Sequence, residues 1–352
     1  MHAGLPAPVQ GEPLLPGPVP AAPYHLRGAA DAATYRYGRD QNPTWAHLER
    51  ALGELDGGEA VVFSSGMAAV SAVILPRLRS GDVLVAPGDA YPGIRWLSAN
   101  DLEPRGVEVR LVASDTRTIA GAAEGAALVW VETPSNPGLE VVDLEVVVPA
   151  AHAAGALAAV DNTLATPLGV RPLDHGADFA MLSGTKSLCG HSDVLLGAVS
   201  VRDPELAAEL RGWRSRTGGV IGPFEAWLAH RSLATLGLRL ERSQANARAL
   251  VDALGGRDDV TDVRWPGVGA VLAFTLSSAE RAQAFLDGCE LVSEATSFGG
   301  VHSTAERRAR WGTDDVADGF IRFSAGCEDT DDLVADVIGA LNKKGPPMAG
   351  PS

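Results

Sequence analysis

Between Val83 and Val201 the chain repeats one arrangement, a short and mostly apolar run followed by a segment that is not. The runs Val83–Ala86, Val107–Val112, Leu128–Glu132, Leu157–Asp161, Phe179–Leu182 and Leu196–Val201 lack the strict in-and-out alternation of a half-exposed strand, so both of their faces must be covered. Helical segments such as Asp143–Ala154 fall between several of them. Strands of this kind separated by helices predict an α/β fold with a mostly parallel sheet between helical layers. In open sheets of that class ligands collect beyond the carboxyl ends of the strands, so those ends are where chemistry is to be sought.

The flanking regions read differently. Residues 1–40 form an extended arm, because prolines and glycines such as those of Pro13-Leu14-Leu15-Pro16-Gly17-Pro18 oppose regular structure. A large domain follows over 41–255, beginning with a helix at Thr44–Leu55, a strand at Ala60–Phe63 and a helix at Met67–Leu78. It closes with a long helical stretch from Phe224 to Leu254, expected to bend near Gly237. Residues 256–345 make a smaller α/β C-terminal domain, with strands at Val271–Leu276 and Phe320–Ser324 and helices at Ala279–Leu286 and Asp331–Leu341. The Gly345-Pro346-Pro347 tail is expected to be disordered.

Composition removes several function classes. With 29 Lys and Arg against 44 Asp and Glu, the net charge of −15 disfavours a nucleic-acid surface. The start of the chain lacks the pattern of a signal peptide, and no apolar stretch is long enough to span a membrane. Cys189, Cys289 and Cys327 are odd in number and far apart, so they give neither a disulfide framework nor a metal site and fit a cytoplasmic protein.

Lys186 lies just past the run ending at Leu182, in Ser183-Gly184-Thr185-Lys186, and Asp161 ends the preceding run. A lysine among small hydroxyl residues at a strand end suits a Schiff base, since desolvation lowers its pKa. With Asp161 it suggests the two poles of pyridoxal phosphate, the lysine at the aldehyde and the carboxylate at the ring nitrogen, the alternative being a structural ion pair or two unrelated loop residues. Ser64-Ser65-Gly66-Met67, where a strand hands over to a helix, offers free backbone N–H groups for the phosphate, and Ser183 and Thr185 add hydroxyls. Tyr91 follows another strand end and can stack on a ring. Asn136 sits in a Pro-bounded loop, and Arg322 within an apolar strand needs either an acidic partner or a bound anion. His191-Ser192-Asp193 is rejected as a hydrolase triad because adjacent residues do not converge in that way.

These blocks resemble the signatures of the Cys/Met-metabolism pyridoxal-phosphate enzymes: Tyr37-Gly38-Arg39-Asp40-Gln41-Asn42-Pro43-Thr44, Phe63-Ser64-Ser65-Gly66-Met67, Glu132-Thr133-Pro134-Ser135-Asn136-Pro137, Val160-Asp161-Asn162-Thr163, Ser183-Gly184-Thr185-Lys186 and Arg322-Phe323-Ser324-Ala325-Gly326. They run in family order from about residue 22 to 342. The resemblance implies an aspartate-aminotransferase-like fold (fold type I) and a homotetramer of two intimate dimers whose active sites are shared. It makes Lys186 the Schiff-base lysine, Asp161 the pyridinium partner and Tyr91 the stacking and acid/base residue. Ser65, Gly66, Met67, Ser183 and Thr185 serve the phosphate, with Tyr37 and Arg39 reaching across from the neighbouring subunit, and Thr163 lies beside the ring. Asn136, Ser297 and Arg322 match the group that takes the substrate carboxylate.

The implied activity is γ-elimination of L-cystathionine or a related γ-substituted amino acid. Replacement of the kind run by cystathionine γ-synthases or O-acetylhomoserine sulfhydrylases is second, and methionine γ-lyase activity third. The chain departs from the family pattern at Ser187 and Cys189, where Tyr and Gly are usual. It also has Arg36 and Thr296 where cystathionine-using relatives often carry acids, which at modest screening weakens binding of a distal ammonium by about 1 kcal/mol. Gly93 stands where methionine γ-lyases commonly have cysteine. Two other classes were weighed. A dinucleotide-binding dehydrogenase is disfavoured because Gly267-Val268-Gly269 lacks the third glycine of its phosphate turn. A silent scaffold is disfavoured by the full set of Lys186, Asp161, Tyr91 and Arg322.

Overall fold

The structure, a computed structural model, describes residues 4–343. Seven strands form the larger sheet: β1 (Glu59–Phe63), β2 (Val83–Pro87), β3 (Glu108–Val112), β4 (Leu128–Glu132), β5 (Leu157–Asp161), β6 (Phe179–Ser183) and β7 (Gly197–Val201). Their order is β1-β7-β6-β5-β4-β2-β3. Pairing is parallel from β3 through β6, while β7 is antiparallel to both β6 and β1, so β7 alone is reversed. Strands β2 and β4 are buried along their whole length, as an apolar run with no alternation requires.

One apolar cluster fills the face around Phe63, Trp130 and Phe179, and another fills the opposite face around Val85, Val131 and Val148. The helix Gly66–Ile74 packs into the first and Leu144–Ala153 into the second. Because six strands share one direction, the ends of β4, β5 and β6 place Glu132, Asp161 and Ser183 along one edge, with Glu132 and Asp161 as direct register partners.

The second sheet has five strands: β8 (Thr261–Arg264), β9 (Val271–Thr275), β10 (Ser293–Glu294), β11 (Thr304–Arg307) and β12 (Phe320–Ser324), in the order β10-β11-β12-β9-β8. It packs on the helices Leu236–Leu254, Ala279–Gly288 and Thr330–Asn342 around Leu272, Phe274, Phe285 and Phe323. The long helical stretch is broken into Pro223–Leu233 and Leu236–Leu254. The break falls at Ala234-Thr235, and Gly237 lies inside the second helix rather than at a bend. Residues 4–42 contain only a short turn of helix and one bridge between Pro23 and Tyr37, and Asn42 pins this segment by donating to Val19 O. The tail at 345–347 lies outside the described residues.

One buried acid opposes the fold. Asp56 closes the helix Pro43–Asp56 and accepts from Ser200 Oγ, while its other oxygen has no donor. Burial raises its pKa from the usual carboxylate range to about 6. The raised value means that the folded state prefers the protonated acid, so stability is lost as pH climbs from about 4 to 6 and the cost is complete above that. Asp56→Asn is therefore expected to raise stability by up to ~3 kcal/mol near pH ~7.5 and to have a small effect near pH ~4. Thermal or denaturant unfolding at the two pH values checks this, and an equal effect at both would contradict it.

Candidate active site

A cavity of about 320 Å³ lies over the shared edge of the large sheet, within the size range of small-molecule sites. Ser65, Gly66, Met67, Tyr91, Asn136, Asp161, Thr163, Ser183, Thr185, Lys186, Ser297 and Arg322 all line it. Residues separated by more than two hundred positions are thus brought together by strand ends and by one loop of the second sheet. Tyr37 and Arg39 are not among the lining residues; both are about half exposed, with the Arg39 guanidinium 5.2 Å from the Tyr37 ring centre.

At one end the helix Gly66–Ile74 starts from Ser65, whose extended backbone and Oγ, accepting from Ala68 N, make it the cap. The N–H groups of Gly66 and Met67 belong to the first turn and have no intrahelical acceptor. Gly66 must be glycine, because a Cβ there would lie 2.9 Å from the side chain of Ser183. The Thr185 hydroxyl is engaged with the backbone of Leu196, accepting from its N–H at 2.9 Å.

In the middle, Asp161 Oδ1 accepts from Thr163 N at 2.9 Å and from Thr163 Oγ1 at 2.5 Å, and Thr163 Oγ1 in turn accepts from Ser183 N at 2.8 Å. Burial raises the pKa of Asp161. Glu132, which sequence reasoning did not single out, lies beside it and accepts from Tyr91 N at 2.8 Å. Its pKa is well above the usual carboxylate range because it is buried and faces Asp161. Of the two, Glu132 is the acid whose pKa is pushed further up, while the two hydrogen bonds from Thr163 favour the ionised form of Asp161. The signal was available, since Glu132 ends an apolar strand just as Asp161 does.

At the far end Lys186 Nζ donates to Ser297 Oγ at 2.7 Å. Arg322 donates to Asn136 Oδ1 at 2.7 Å, to Ser297 O at 3.1 Å and to Glu306. Ser297 has a left-handed backbone, φ 85°, unusual for a non-glycine residue and of a kind found at functional sites. Both cations lie near the Phe298 ring, with Lys186 Nζ 4.9 Å and the Arg322 guanidinium carbon 5.1 Å from its centre. Burial first, and then the charge of Arg322, lower the pKa of Lys186 to about 8.

The departures have local settings. Ser187 is buried against Gly299. Cys189 is fully buried, and burial pushes its thiol up to about 12. Thr296 lines the cavity, and a Cβ on Gly93 would lie 2.4 Å from Met67 Sδ, so Met67 fills the space that a side chain at 93 would need.

The donor set fits pyridoxal phosphate. N–H and hydroxyl groups stand at Ser65, Gly66, Met67 and Ser183 for a phosphate, a buried carboxylate at Asp161 lacks a cationic partner of its own, and the Lys186 amine is desolvated. Among the described residues no group of His, Cys, Asp and Glu is arranged to hold a metal ion.

The family described as Cys/Met metabolism PLP-dependent enzyme matches residues 21–342. A Streptomyces coelicolor protein provisionally named cystathionine gamma-lyase is 52% identical, the match covering 97% of this chain and 92% of that one. The cystathionine gamma-lyase of Bacillus subtilis is 37% identical over 90% and 91% of the two chains. A crystal structure of a cystathionine gamma-lyase from Micromonospora echinospora superposes with a TM-score of 0.90, at 36% identity and covering 97% and 98% of the chains.

The lowered Lys186 pKa bears on how readily this amine would take an aldehyde. At pH ~7.5 about a quarter of such a lysine is the neutral nucleophile, against about 0.1% at an unperturbed value. The rate at which cofactor-free protein takes up pyridoxal phosphate, followed by absorbance, is expected to rise with pH, to reach half its maximum near 8 and to level off about one unit higher. Lys186→Ala is expected to give no covalent adduct trapped by borohydride. A plateau reached only near the pKa of free lysine would show that the amine is not perturbed.

Proposed function

The chain belongs to the Cys/Met metabolism PLP-dependent enzyme family, and on that premise we propose that it catalyses γ-elimination of L-cystathionine or a related γ-substituted amino acid. Water is consumed, and a thiol, a 2-oxo acid and ammonia are released. The observation that carries this reading is the meeting of Lys186 and Arg322 at Ser297, where an amine able to move protons and a guanidinium able to hold a carboxylate face one cavity.

Pyridoxal phosphate, when bound, supplies the electron sink that lets the Cα–H bond break. Ser65, Gly66, Met67 and Ser183 hold its phosphate end, Asp161 its ring nitrogen, Tyr91 its face and Lys186 its aldehyde carbon. Arg322, with Asn136 and Ser297, receives the substrate carboxylate and so fixes Cα within reach of Lys186 Nζ. Once the substrate amine has displaced it, Lys186 Nζ would take the Cα proton, deliver it to the carbon it had held and then take one from Cβ. The Tyr91 hydroxyl gives its proton to the leaving sulfur as the Cγ–S bond breaks. The same residues serve replacement if a thiol, rather than water, ends the sequence.

The working form in this reading is a cytoplasmic homotetramer in which Tyr37 and Arg39 of a second copy complete each site. Two observations support it: Tyr37 and Arg39 are exposed and lie outside their own chain's cavity, and the phosphate end of that cavity carries N–H and hydroxyl donors but no guanidinium. Mixing Arg39→Ala chains with Lys186→Ala chains is expected to recover activity through hybrids in which one site keeps both native residues. Failure to recover despite proven subunit exchange would mean that each site is self-contained.

Substrate preference is expected to be relaxed. Cystathionine, homocysteine and O-acetylhomoserine should all react, because Thr296 on the cavity wall is neutral and Arg36 is a cation. Arg36→Glu is expected to raise kcat/KM for cystathionine several-fold with little change for O-acetylhomoserine. A strong cystathionine preference in the native enzyme that this change leaves unaltered would refute the charge argument.

A further inference from the structure

Arg322 is one end of a buried chain of alternating charges. Glu306 Oε1 accepts from Arg322 and, at 2.9 Å, from Arg308, while Glu306 Oε2 accepts from Trp311 Nε1 at 3.0 Å. Arg308 binds Asp314 through Nε at 3.0 Å and through a second nitrogen, and Asp314 also takes Arg95 at 3.1 Å. The side chains of Arg322, Glu306, Arg308 and Asp314 are almost entirely shielded from solvent. Arg95 belongs to the helix Pro92–Leu97, which Tyr91 directly precedes. Three guanidiniums thus share two carboxylates, and two of the three, Arg308 and Arg322, line the cavity.

The sharing has a consequence for substrate binding. A carboxylate given wholly to Arg322 would neutralise it and compete with an incoming substrate carboxylate. Arg308 draws on the same Glu306 oxygen, and Asp314 links Arg308 to Arg95 on the helix that follows Tyr91. We propose that Arg308 is a positioning residue for substrate recognition, dividing Glu306 between two cations so that Arg322 keeps charge for the substrate carboxylate, and that Asp314 is a positioning residue for the helix that follows Tyr91 and not for the carboxylate.

The inference rests on the reading of Arg322 as the carboxylate-binding residue, and the experiment separates the two. L-Norleucine, which has no leaving group, and its methyl ester, which has no carboxylate charge, serve as competitive inhibitors of the holoenzyme. Arg322→Met is the control; if it leaves the norleucine inhibition constant unchanged, the carboxylate reading itself falls. If that reading stands, Arg308→Met, which returns Glu306 wholly to Arg322, is expected to raise the norleucine constant about tenfold and to leave the ester constant within twofold, with kcat little changed. Adding Glu306→Gln to Arg308→Met is expected to bring norleucine binding back toward the native value. Asp314→Asn, which leaves Arg308 more dependent on Glu306, is expected to lower kcat through the Tyr91 helix without weakening norleucine. Equal weakening of norleucine and ester in Arg308→Met, or no rescue by Glu306→Gln, overturns the proposal. Where Arg308→Met does not fold, weaker norleucine binding by Asp314→Asn overturns it and unweakened binding with lowered kcat supports it.

Discussion

The site depends on burying two basic groups, Lys186 and Arg322, side by side where one can give up its proton readily and the other cannot. Desolvation acts against both, yet it has opposite uses. Lysine gives up its proton under that pressure, and the neighbouring guanidinium adds to it, which turns an inert ammonium into an amine available near neutral pH. Arginine keeps its proton, because its unperturbed pKa is far higher and Glu306 supports the charge. The Phe298 ring lies within cation–π distance of both groups and occupies space that water would otherwise fill. Ser297 joins them, its hydroxyl to the lysine and its carbonyl to the arginine, through a backbone conformation that stores strain.

The opposite wall solves the complementary problem with acids. Glu132 and Asp161 are register partners on adjacent strands, so their carboxyl groups are held close by the sheet itself. Two buried anions at that separation repel, and one must take a proton. Thr163 gives Asp161 two hydrogen bonds from its N–H and hydroxyl, which favour its ionised form. Glu132 has one, from Tyr91 N. Glu132, with the fewer donors, is the acid whose pKa is raised further, and it holds the backbone of the Tyr91 turn. Strand register thus sets the two acids against each other and leaves Asp161 the better supported as an anion.

Much of this was legible in the sequence, and the reason is geometric. Apolar runs reveal strands, and in a parallel sheet strand ends share an edge, so Asp161, Lys186, Tyr91 and the Ser65 loop could be grouped before any coordinates. The strand Phe320–Ser324 was read at its observed limits because its apolar residues are flanked by polar chain. Long-range pairing was illegible. Thr304-Ala305-Glu306-Arg307-Arg308-Ala309-Arg310-Trp311 has the composition of a solvated surface turn, and nothing local says that Glu306 and Arg308 point inward while Arg310 is exposed. Their burial follows from antiparallel pairing of β11 with β12, which sets Glu306 opposite Arg322. The break between the two helices at Ala234-Thr235 was missed for a related reason. Glycine marks where a helix is weak, whereas this break occurs at residues of ordinary propensity.

The division of labour inside the cavity bears on how the enzyme selects substrates. In the proposed reading the Asn136, Ser297 and Arg322 end takes the carboxylate that every amino acid carries, so it would fix Cα in place without distinguishing one side chain from another. Selection must occur where the γ substituent lies, against Tyr91, Leu195 and Thr296. Among the described residues lining the cavity the carboxylates are Glu132 and Asp161, and both are committed to the sheet edge. Among the described lining residues no uncommitted carboxylate therefore faces a distal ammonium, and the lining cation Arg308 is bound to Glu306 and Asp314. A wall of that kind rewards size and apolar contact rather than charge, and differences of that sort are worth about 1–3 kcal/mol between neighbouring substrates. A strict preference for one γ-substituted amino acid would need a charged group supplied from outside the chain, and in the proposed assembly the exposed segment holding Arg36, Tyr37 and Arg39 is the part of a second copy that would supply it.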